Sequence, residues 1–380
     1  MIRLTIPSID EEDLRAVREV LASGHLVQGS QVAAFEALVA ERAGTGFAVA
    51  VSNCTAALHL SLLALGVQAG DLVIVTAYSW VATANVIELC GAHPVFVDIR
   101  PDTFNMDPSV LESVLKRLMG NRETARRVKA ILPVHAFGLM AGMTEIMDLA
   151  DRYGIPVVED GACALGASLE GRPAGSWGRL GCFSFHPRKA VTTGEGGMIA
   201  GNDGELIRRL KALRNHGQDP HSPSPDFILP GLNYRMTEFQ AALGITQMKK
   251  LDHIISSRKK LAQDYEEFLR ETSLTLPVVP PGHSPVFQSY VVLLPKEDSA
   301  FRNDLIARLK EGGVEAAIGT WNMPMTSFFR ARYGFKKGDF PVADHVFARS
   351  LTLPLYAHMT RSDQEKVTGE LKKSLAERKR

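Results

Sequence analysis

The chain has 380 residues, of which 45% are hydrophobic and 22% charged, and its 43 lysines and arginines nearly balance its 42 aspartates and glutamates. This length exceeds what one hydrophobic core usually accommodates, so we expect a large domain and a smaller one. The formal net charge of +1 gives no field that would attract nucleic acid or a membrane surface, and neither is expected as a partner.

Short apolar runs alternate with helical patterns over the first half of the chain. Leucines between residues 58 and 65 mark one apolar helix face, and residues 143–153 form another predicted helix. This alternation is typical of a largely parallel sheet with crossover helices. The runs that predict strands are 47–52, 71–76, 94–99, 128–135, 156–160, 181–186 and 197–200.

A long helical pattern begins after Thr237 and leads towards the proline-rich segment 276–281. We therefore place the domain boundary near residue 250. Residues 1–250 are predicted to form the large domain with an N-terminal arm, and residues 251–380 a smaller α+β domain. Beyond the boundary we predict a strand and two helices, at residues 289–294, 301–310 and 362–377.

The amino-terminal segment and the cysteines narrow the class of protein further. Residues 1–13 contain no apolar leader, and no stretch reaches the ~18 apolar residues of a membrane span, which predicts a cytoplasmic protein. The cysteines show no C-x-x-C spacing and no clustered histidines accompany them. We therefore expect neither a disulfide framework nor a metal site, and reduced thiols at Cys54, Cys90, Cys163 and Cys182.

The segment 184–189, Ser-Phe-His-Pro-Arg-Lys, carries the most informative chemistry in the chain. A glycine-rich stretch follows it at residues 194–197, and a predicted strand upstream ends in an acidic pair whose second member is Asp160. The amine of Lys189 can hold an aldehyde cofactor as a Schiff base, and a buried Asp160 can keep a pyridine nitrogen protonated. The combination predicts an enzyme that uses pyridoxal 5′-phosphate (PLP).

A phosphate site is indicated where the first strand gives way to a helix at Cys54 and Thr55. Unpaired backbone N–H groups and the positive helix end favour an anion there. Taken alone, such a motif is more often a plain helix cap. Ser184, on the strand that leads to Lys189, can reach the same phosphate, although an ordinary buried serine is the simpler interpretation.

Three further side chains are candidates on position alone. Trp80 follows a predicted strand and can lie flat on one face of the cofactor ring, but such an aromatic residue is about equally often part of the core. His216 can line the substrate entrance. His186, beside the lysine, is more often a packed strand histidine than a catalyst.

Seven segments spread along the chain carry a family pattern: 51–58 (VSNCTAAL), 80–83 (WVAT), 94–98 (PVFVD), 159–160 (ED), 181–186 (GCFSFH) with Lys189, 192–197 (TTGEGG) and 233–236 (NYRM). In these segments the chain resembles the DegT/DnrJ/EryC1/StrS sugar aminotransferases, and the resemblance runs nearly end to end. It implies the α/β architecture of PLP-dependent transferases of fold type I. That architecture has a large domain with a mostly parallel seven-stranded sheet flanked by helices, and a smaller α+β C-terminal domain.

The resemblance also implies a homodimer whose two active sites each borrow residues from the partner subunit. Lys189 takes the role of the residue that binds the cofactor covalently, and Asp160 that of the partner of the pyridine nitrogen. The other implied cofactor contacts are Trp80 at the ring face, Cys54, Thr55 and Ser184 at the phosphate, and Asn233 at the phosphate across the dimer interface.

The family reaction moves an amino group, usually from glutamate, to a keto group of a nucleotide-linked sugar, with pyridoxamine phosphate (PMP) formed on the way. Lys189 is then both anchor and acid–base group. That second role requires a depressed pKa, since an ordinary lysine, with a pKa of about 10.4, stays protonated at neutral pH. A cyclitol or another keto sugar as acceptor, and glutamine as donor, remain open.

Several positions depart from the family pattern. Cys163 stands where glutamine or histidine is more common beside the cofactor ring, so a hydrogen bond to the ring oxygen is expected to be lost. Cys54 replaces a common glycine of the phosphate turn, which a small side chain tolerates at negative φ. Trp321 and Asn322 lie where many members have a histidine–tyrosine pair toward the sugar, which marks them as candidate substrate contacts.

Three other classes of protein are alternatives to this interpretation. A nicotinamide enzyme needs G-x-G-x-x-G after a strand, whereas the glycines at 194–197 precede a strand. A deoxygenating branch of the same family replaces the lysine by histidine, and Lys189 argues against it. A non-catalytic regulatory member that keeps the fold and binds PLP is the alternative that the sequence leaves open.

Overall fold

The computed structural model describes residues 1–376. Its helices are α1 (Glu11–Ser23), α2 (Ser30–Ala43), α3 (Cys54–Ala64), α4 (Ala82–Leu89), α5 (Pro108–Met119), α6 (Arg122–Arg127), α7 (Met143–Tyr153), α8 (Gly204–Arg214), α9 (Glu238–Leu269), α10 (Ser299–Glu311), α11 (Ser327–Tyr333), α12 (Pro341–Arg349) and α13 (Arg361–Ala376).

The strands follow the same chain-order numbering. They are β1 (Phe47–Val51), β2 (Leu72–Thr76), β3 (Tyr78–Ser79), β4 (His93–Val97), β5 (Val128–Leu132), β6 (Val158–Asp160), β7 (Ser168–Leu169), β8 (Arg172–Pro173), β9 (Leu180–Ser184), β10 (Gly197–Gly201), β11 (His283–Ser284), β12 (Tyr290–Leu293), β13 (Ala317–Ile318), β14 (Trp321–Asn322) and β15 (Ser350–Leu353).

The central sheet has seven strands in the order β4-β2-β5-β6-β9-β10-β1. β2 pairs in parallel with β4 and β5, and β6 pairs in parallel with β9. Single parallel bridges, Ile131 to Val157 and Val134 to Asp160, join β5 to β6. β10 runs antiparallel to both its neighbours. The mostly parallel seven-stranded sheet predicted from the sequence is confirmed.

Hydrophobic clusters cover both faces of this sheet, and the strand sequences show why. In β2, Val73 and Val75 pack in the cluster that contains α3 and α4, whereas Ile74 packs in the cluster that contains α2, α5 and α7. Successive strand residues point to opposite faces, so a strand covered on both sides has to be apolar throughout. The first four residues of β2, Leu-Val-Ile-Val, meet that requirement.

The last third of the chain has its own antiparallel sheet, β12-β15-β13, which packs with α10 and α13 around a third hydrophobic cluster. The predicted strand and the first of the two predicted helices correspond to β12 and α10. The predicted end of the closing helix, Glu377, lies outside the described residues. The 32-residue helix α9 crosses residue 250, and the division into domains of 1–250 and 251–380 stays a prediction.

The topology gathers several strand ends at one edge of the central sheet. Because β10 runs antiparallel to both β1 and β9, and β9 is parallel to β6, the strands β1, β6 and β9 all run in one direction. Their carboxyl ends carry the loops that begin at Ser52, Gly161 and Phe185. In open α/β sheets this is the edge where ligands bind. No helix within residues 1–376 has the length and apolar character needed to cross a membrane.

Candidate active site

Asp160 ends β6 with a side chain that is only 3% exposed. Its Oδ2 accepts a hydrogen bond of 2.7 Å from the hydroxyl of Thr83, and its Oδ1 accepts one of 3.1 Å from the backbone N–H of Ala162. Both of these donors are neutral. A buried carboxylate is costly unless a cation meets it, so Asp160 is suited to bind a positively charged group of a ligand.

Lys189 lies in the loop between β9 and β10, where its Nζ donates a hydrogen bond of 3.0 Å to Sγ of Cys163. The loop is held by two backbone bonds, from Lys189 N to the His186 carbonyl at 2.8 Å and from Thr193 N to the Phe185 carbonyl at 3.0 Å. Sequence reasoning expected Cys163 beside the cofactor ring, and the structure places its thiol against the lysine amine.

The pKa of Lys189 is set by opposing influences. Burial, the largest of them, lowers the pKa, but Cys163, Cys54 and Asp160 raise it, and the net result lies above the ordinary lysine value. Thiol and carboxyl groups surround the amine and raise its pKa in this ligand-free chain, so the depressed pKa that the base role requires in the closed site stays a prediction. Lys189, Cys163, Cys54 and Asp160 interact electrostatically and are called the lysine cluster below.

Gly197 lies between the predicted phosphate-binding residues on β9 and those at the start of α3. Gly197 pairs with Ser184 across the β9–β10 ladder, and a Cβ built on Gly197 would lie 2.4 Å from the Asn53 carbonyl carbon and 2.7 Å from the Cys54 amide nitrogen. Only glycine permits this approach of the β10 backbone to the start of α3. The close contact brings Ser184, at the end of β9, beside the helix end formed by Cys54 and Thr55.

The first turn of α3 has the donors that a phosphate requires. Asn53 caps the helix, and its Oδ1 accepts from Ala56 N at 2.8 Å. The amides of Cys54 and Thr55 precede the first intrahelical bonds and point out of the helix end. Thr55 is exposed, whereas Cys54 is buried, and burial raises the pKa of the Cys54 thiol well above its ordinary value.

Trp80 lies just before α4 with 63% of its surface exposed. Its carbonyl accepts a hydrogen bond of 3.1 Å from Thr83 N, in the same turn that supplies the Thr83 hydroxyl to Asp160. A tryptophan this exposed does not belong to the core, so the core interpretation of Trp80 is wrong, and the indole is free to pack on a ligand.

The structure brings Trp321 and Asn322 next to Trp80. Strand β14 pairs antiparallel with β3, so that Trp321 lies opposite Ser79 and Asn322 opposite Tyr78. Trp321 is partly exposed, and its ring packs on Phe347 with centroids 5.9 Å apart. Asn322 is 2% exposed and donates to Asp344 at 2.8 Å, so its side chain is turned into the protein.

Asn233 and His216 lie on neighbouring segments, and the carbonyl of Tyr234, next to Asn233, accepts a hydrogen bond of 2.8 Å from Ser52 N before the start of α3. Asn233 forms a β-bridge with Asn215, and both Asn233 and His216 are exposed. His216 adopts a left-handed backbone conformation with φ of 57°, and its N–H donates to the Leu232 carbonyl at 2.9 Å. Within residues 1–376, no described hydrogen bond or ring contact joins either side chain to the lysine cluster.

Sequence reasoning did not identify Thr83 as the partner of Asp160, nor the role of Glu159. Glu159 is fully buried, and its oxygens accept from the amides of Gly175, Trp177 and Gly178 at 2.7–2.8 Å. It also lies 2.9 Å from Nε2 of His135. Glu159 thus fixes the turn before β9, while its neighbour Asp160 faces the site.

The residues at this edge of the sheet fit PLP. A primary amine, a buried carboxylate with neutral partners, and a glycine-lined helix end with free donors are the three groups that the aldehyde, the pyridine nitrogen and the phosphate require. Within residues 1–376 no group of three or more histidine, cysteine, aspartate or glutamate side chains could hold a metal ion.

Comparison with known proteins gives this arrangement a family. The model of the DegT/DnrJ/EryC1/StrS aminotransferase family matches residues 7–372. The chain belongs to that family. Members of the DegT/DnrJ/EryC1/StrS family are PLP-dependent sugar aminotransferases, and the resemblance drawn from the sequence motifs is confirmed.

Individual relatives agree with this assignment over nearly their whole length. The chain is 34% identical to the UDP-4-amino-4-deoxy-L-arabinose–oxoglutarate aminotransferase of Shewanella sediminis, covering 96% of both chains. It is 32% identical to the crystal structure of the aminotransferase TlmJ from Streptoalloteichus hindustanus, with a TM-score of 0.91 over 100% of both chains. These matches confirm the fold-type I architecture.

A third relative bears on the cofactor. The sugar aminotransferase-like protein Spr1654 of Streptococcus pneumoniae has been solved in a PLP form and in a PMP form, 26% and 25% identical to this chain. Both have TM-scores of 0.92, and each covers 99% of this chain and at least 99% of its own. The DegT/DnrJ/EryC1/StrS member described here is a PLP-dependent transaminase.

Proposed function

We propose that this aminotransferase moves an amino group from L-glutamate to a keto group of a nucleotide-linked sugar, as a homodimer with shared active sites. The lysine cluster at the carboxyl edge of the sheet is the observation that carries the proposal. The relative from Shewanella sediminis supports the choice of substrates, since its name contains both a UDP-linked amino sugar and oxoglutarate, the keto acid that glutamate leaves behind.

The chain's own residues have distinct parts in this chemistry. Lys189 would hold the cofactor through Nζ, and Asp160, fixed by Thr83, would pair with the ring nitrogen. When bound, PLP supplies an electron sink that stabilises negative charge on the substrate carbon. Cys54, Thr55 and Ser184 would bind its phosphate.

Proton transfer is assigned to the amine of Lys189. Once free of the cofactor, Nζ would take the proton from the α-carbon of the amino donor and, in the second half-reaction, would deliver a proton to the acceptor carbon. In the structure the pKa of Lys189 is raised by Cys163, Cys54 and Asp160. The amine therefore has to lose its own proton before it can act as a base. Until then, Sγ of Cys163 accepts a hydrogen bond of 3.0 Å from Nζ and holds the amine in place.

The walls of the site point to a large acceptor. Trp80 is mostly exposed, and Trp321 is placed beside it by the β3–β14 pairing. Exposed indole faces suit the packing of a sugar or a base. We therefore retain Trp321, together with His216, as candidate substrate contacts, and we do not carry Asn322 forward because its side chain is turned into the protein.

Asn233 is proposed to contact the phosphate in the other subunit's site. Its side chain is exposed, and no described hydrogen bond joins it to the lysine cluster of its own chain, while Met236 in the same segment is buried. An exposed residue in that position is able to reach a neighbouring molecule. The exposed apolar side chains Phe227 and Ile228 on the adjoining loop support an interface there.

The proposal is tested by incubating the PLP-loaded protein with a panel of nucleotide-linked keto sugars and either glutamate or glutamine. Mass spectrometry of the products should show a ketone replaced by an amine, with 2-oxoglutarate formed in equal amount. The Lys189→Ala variant serves as the control and should form neither product. If glutamate were converted to 2-oxoglutarate with no aminated sugar, the acceptor class would be wrong; if glutamate left the bound cofactor unchanged, a non-catalytic member would be indicated.

A further inference from the structure

Arg258 is a buried cation whose described hydrogen bonds reach only neutral groups. It lies on α9 with 2% of its surface exposed, and its Nη1 donates to the carbonyl of Phe287 at 3.4 Å and to the carbonyl and Oε1 of Gln288 at 3.2 Å each. Its Nε is buried without a partner among the described residues. Burial lowers the pKa of this arginine to about 10. Burying such a charge costs roughly several kcal/mol unless other groups compensate it. The buried position of Arg258 therefore calls for an explanation.

Gln288 connects this guanidinium to the lysine loop. Its side-chain Nε2 donates a short hydrogen bond to the carbonyl of Arg188, the residue before Lys189. Its backbone N–H donates to the Phe137 carbonyl at 2.9 Å. One glutamine thus binds the arginine of α9, the loop that carries Lys189 and the loop that follows β5.

These segments meet at Gly138, where no side chain larger than hydrogen fits. Gly138 has a φ of +91°, and a Cβ built on it would lie 2.7 Å from Val286, 2.9 Å from Gln288 N and 3.1 Å from the Cys163 carbonyl. The backbone that carries Cys163 therefore packs against the same junction. The charge of Arg258 and the thiol of Cys163 also influence each other electrostatically.

We propose that Arg258 is a positioning residue for Lys189 and acts through Gln288. The guanidinium fixes both the carbonyl and the amide of Gln288, and the amide in turn fixes the peptide next to the lysine. This places the amine for reaction with the cofactor aldehyde. The inference rests on the proposed role of Lys189, and it adds a residue from α9 that the motif segments of the sequence do not contain.

The test compares two rates in full-length, cofactor-free protein, both read by peptide mass. The first is capture of added PLP by Lys189, stopped with borohydride; the second is acylation of Lys189 by a small amine-reactive ester, which needs no cofactor. In Arg258→Met and in Gln288→Leu, capture should slow by about tenfold or more, because a small misplacement of a reacting group is costly. Acylation of the loosened lysine should become faster.

Arg302→Met is the matched control. Arg302 is also a buried arginine, 3% exposed, and its described hydrogen bonds go to the neutral oxygens of Phe347 and Asn303. Its loss should lower the melting temperature and leave both rates of Lys189 unchanged. Arg258→Lys, which keeps the charge and a donor, should restore most of the capture rate.

A double-substitution cycle completes the experiment. If Arg258 acts through Gln288, the double variant should be no slower in capture than the slower single variant. Multiplying effects, or rates in Arg258→Met that match those of Arg302→Met, would overturn the inference. If Arg258→Met does not fold, Gln288→Leu decides by the same two rates. Failure of the unchanged protein to capture PLP at Lys189 would instead contradict the proposed function, while the acylation rates would still test the positioning role.

Discussion

The hydroxyl of Thr83 donates a hydrogen bond of 2.7 Å to Oδ2 of Asp160, and both side chains are buried. The two residues lie 77 positions apart in the chain. This bond joins the turn that displays Trp80 to the strand end that displays the carboxylate. Trp80 and Asp160, joined through this hydrogen bond, would therefore contact the ring face and the ring nitrogen of a bound cofactor.

Replacement of Thr83 by valine should weaken PLP binding. The change keeps the shape of the side chain and removes the donor, and hydrogen bonds to charged groups contribute about 1.5–3 kcal/mol, which corresponds to roughly a ten- to hundredfold loss of affinity. Equilibrium binding of PLP, monitored by absorbance, measures this loss of affinity. Thr76→Val is the control, since Thr76 is equally buried and its hydroxyl has no partner among the described residues. Equal affinities for the two variants would contradict the role of Thr83.

Replacement of Gly197 by alanine should destabilise the protein. The added Cβ would lie 2.4 Å from the Asn53 backbone, and overpacking of this kind costs about 1–3 kcal/mol of unfolding free energy. Urea unfolding measures the change. Displacement of the α3 start should also reduce the preference for PLP over pyridoxal, which lacks the phosphate.

Gly204→Ala is the control for this experiment. A Cβ on Gly204, in the first turn of α8, meets no atom within 4 Å. Its replacement should be neutral or stabilise the protein by about 0.4–1 kcal/mol. A Gly197→Ala protein as stable as Gly204→Ala would show that the β10 backbone does not need to approach α3 so closely.

Removal of the Cys163 thiol should change the pH dependence of PLP capture by the cofactor-free protein. Capture needs the neutral amine, and the raised pKa of Lys189 keeps the amine charged, so the rate should climb with pH through the alkaline range. In Cys163→Ala the largest remaining influence is burial, which lowers the pKa. The rise should then occur at lower pH.

Cys90→Ala provides the comparison for the pH profile. Cys90 follows α4 and is not among the groups that shift the pKa of Lys189. Its replacement should leave the capture profile where it is. An identical profile for Cys163→Ala and the unchanged protein would show that the thiol does not hold the amine in its charged form.

Mixed dimers should reveal whether the two subunits share active sites. Chains with Asn233→Ala or Lys189→Ala are each expected to form impaired homodimers. If Asn233 serves the partner's site, a hybrid of the two chains has one site with both defects and one with neither, and about one functional site per dimer should return. Separable tags and a transamination assay measure this.

The control hybrid pairs the doubly substituted chain, N233A with K189A, with the unchanged chain. In the shared arrangement each of its sites carries one defect, so activity should stay low. Recovery in this hybrid, and none in the first, would place Asn233 in the site of its own subunit.

The sequence predicted the central sheet well because most residues of its strands are apolar. β2 and β5 are covered on both faces, and such runs stand out between helical patterns. Helices α1 and α2 were not predicted, although Asp10 forms a capping box with Asp13 that marks the start of α1. Short strands such as β14 have too few residues for a pattern and exist only through tertiary pairing.

In the site, as in the fold, some features are visible in short sequence segments and others depend on contacts between distant residues. Lys189 and Asp160 could be identified because their chemistry and their strand-end positions are visible in short segments. The contact between Thr83 and Asp160, and the contacts of Arg258 with Gln288, could not be identified, since each joins residues that only folding brings together. The rise in the pKa of Lys189 in the ligand-free chain could not be predicted, because the effect of neighbouring groups depends on distances that a sequence does not contain.

The central claim is that Lys189 binds PLP covalently at the site framed by Asp160 and the start of α3. Reduction of the PLP-loaded protein with borohydride, followed by peptide mapping, tests this most directly. We predict that the label lies on Lys189, in the peptide that spans residues 184–197. A label on another lysine, or no label on a protein that retains bound PLP, would contradict the account.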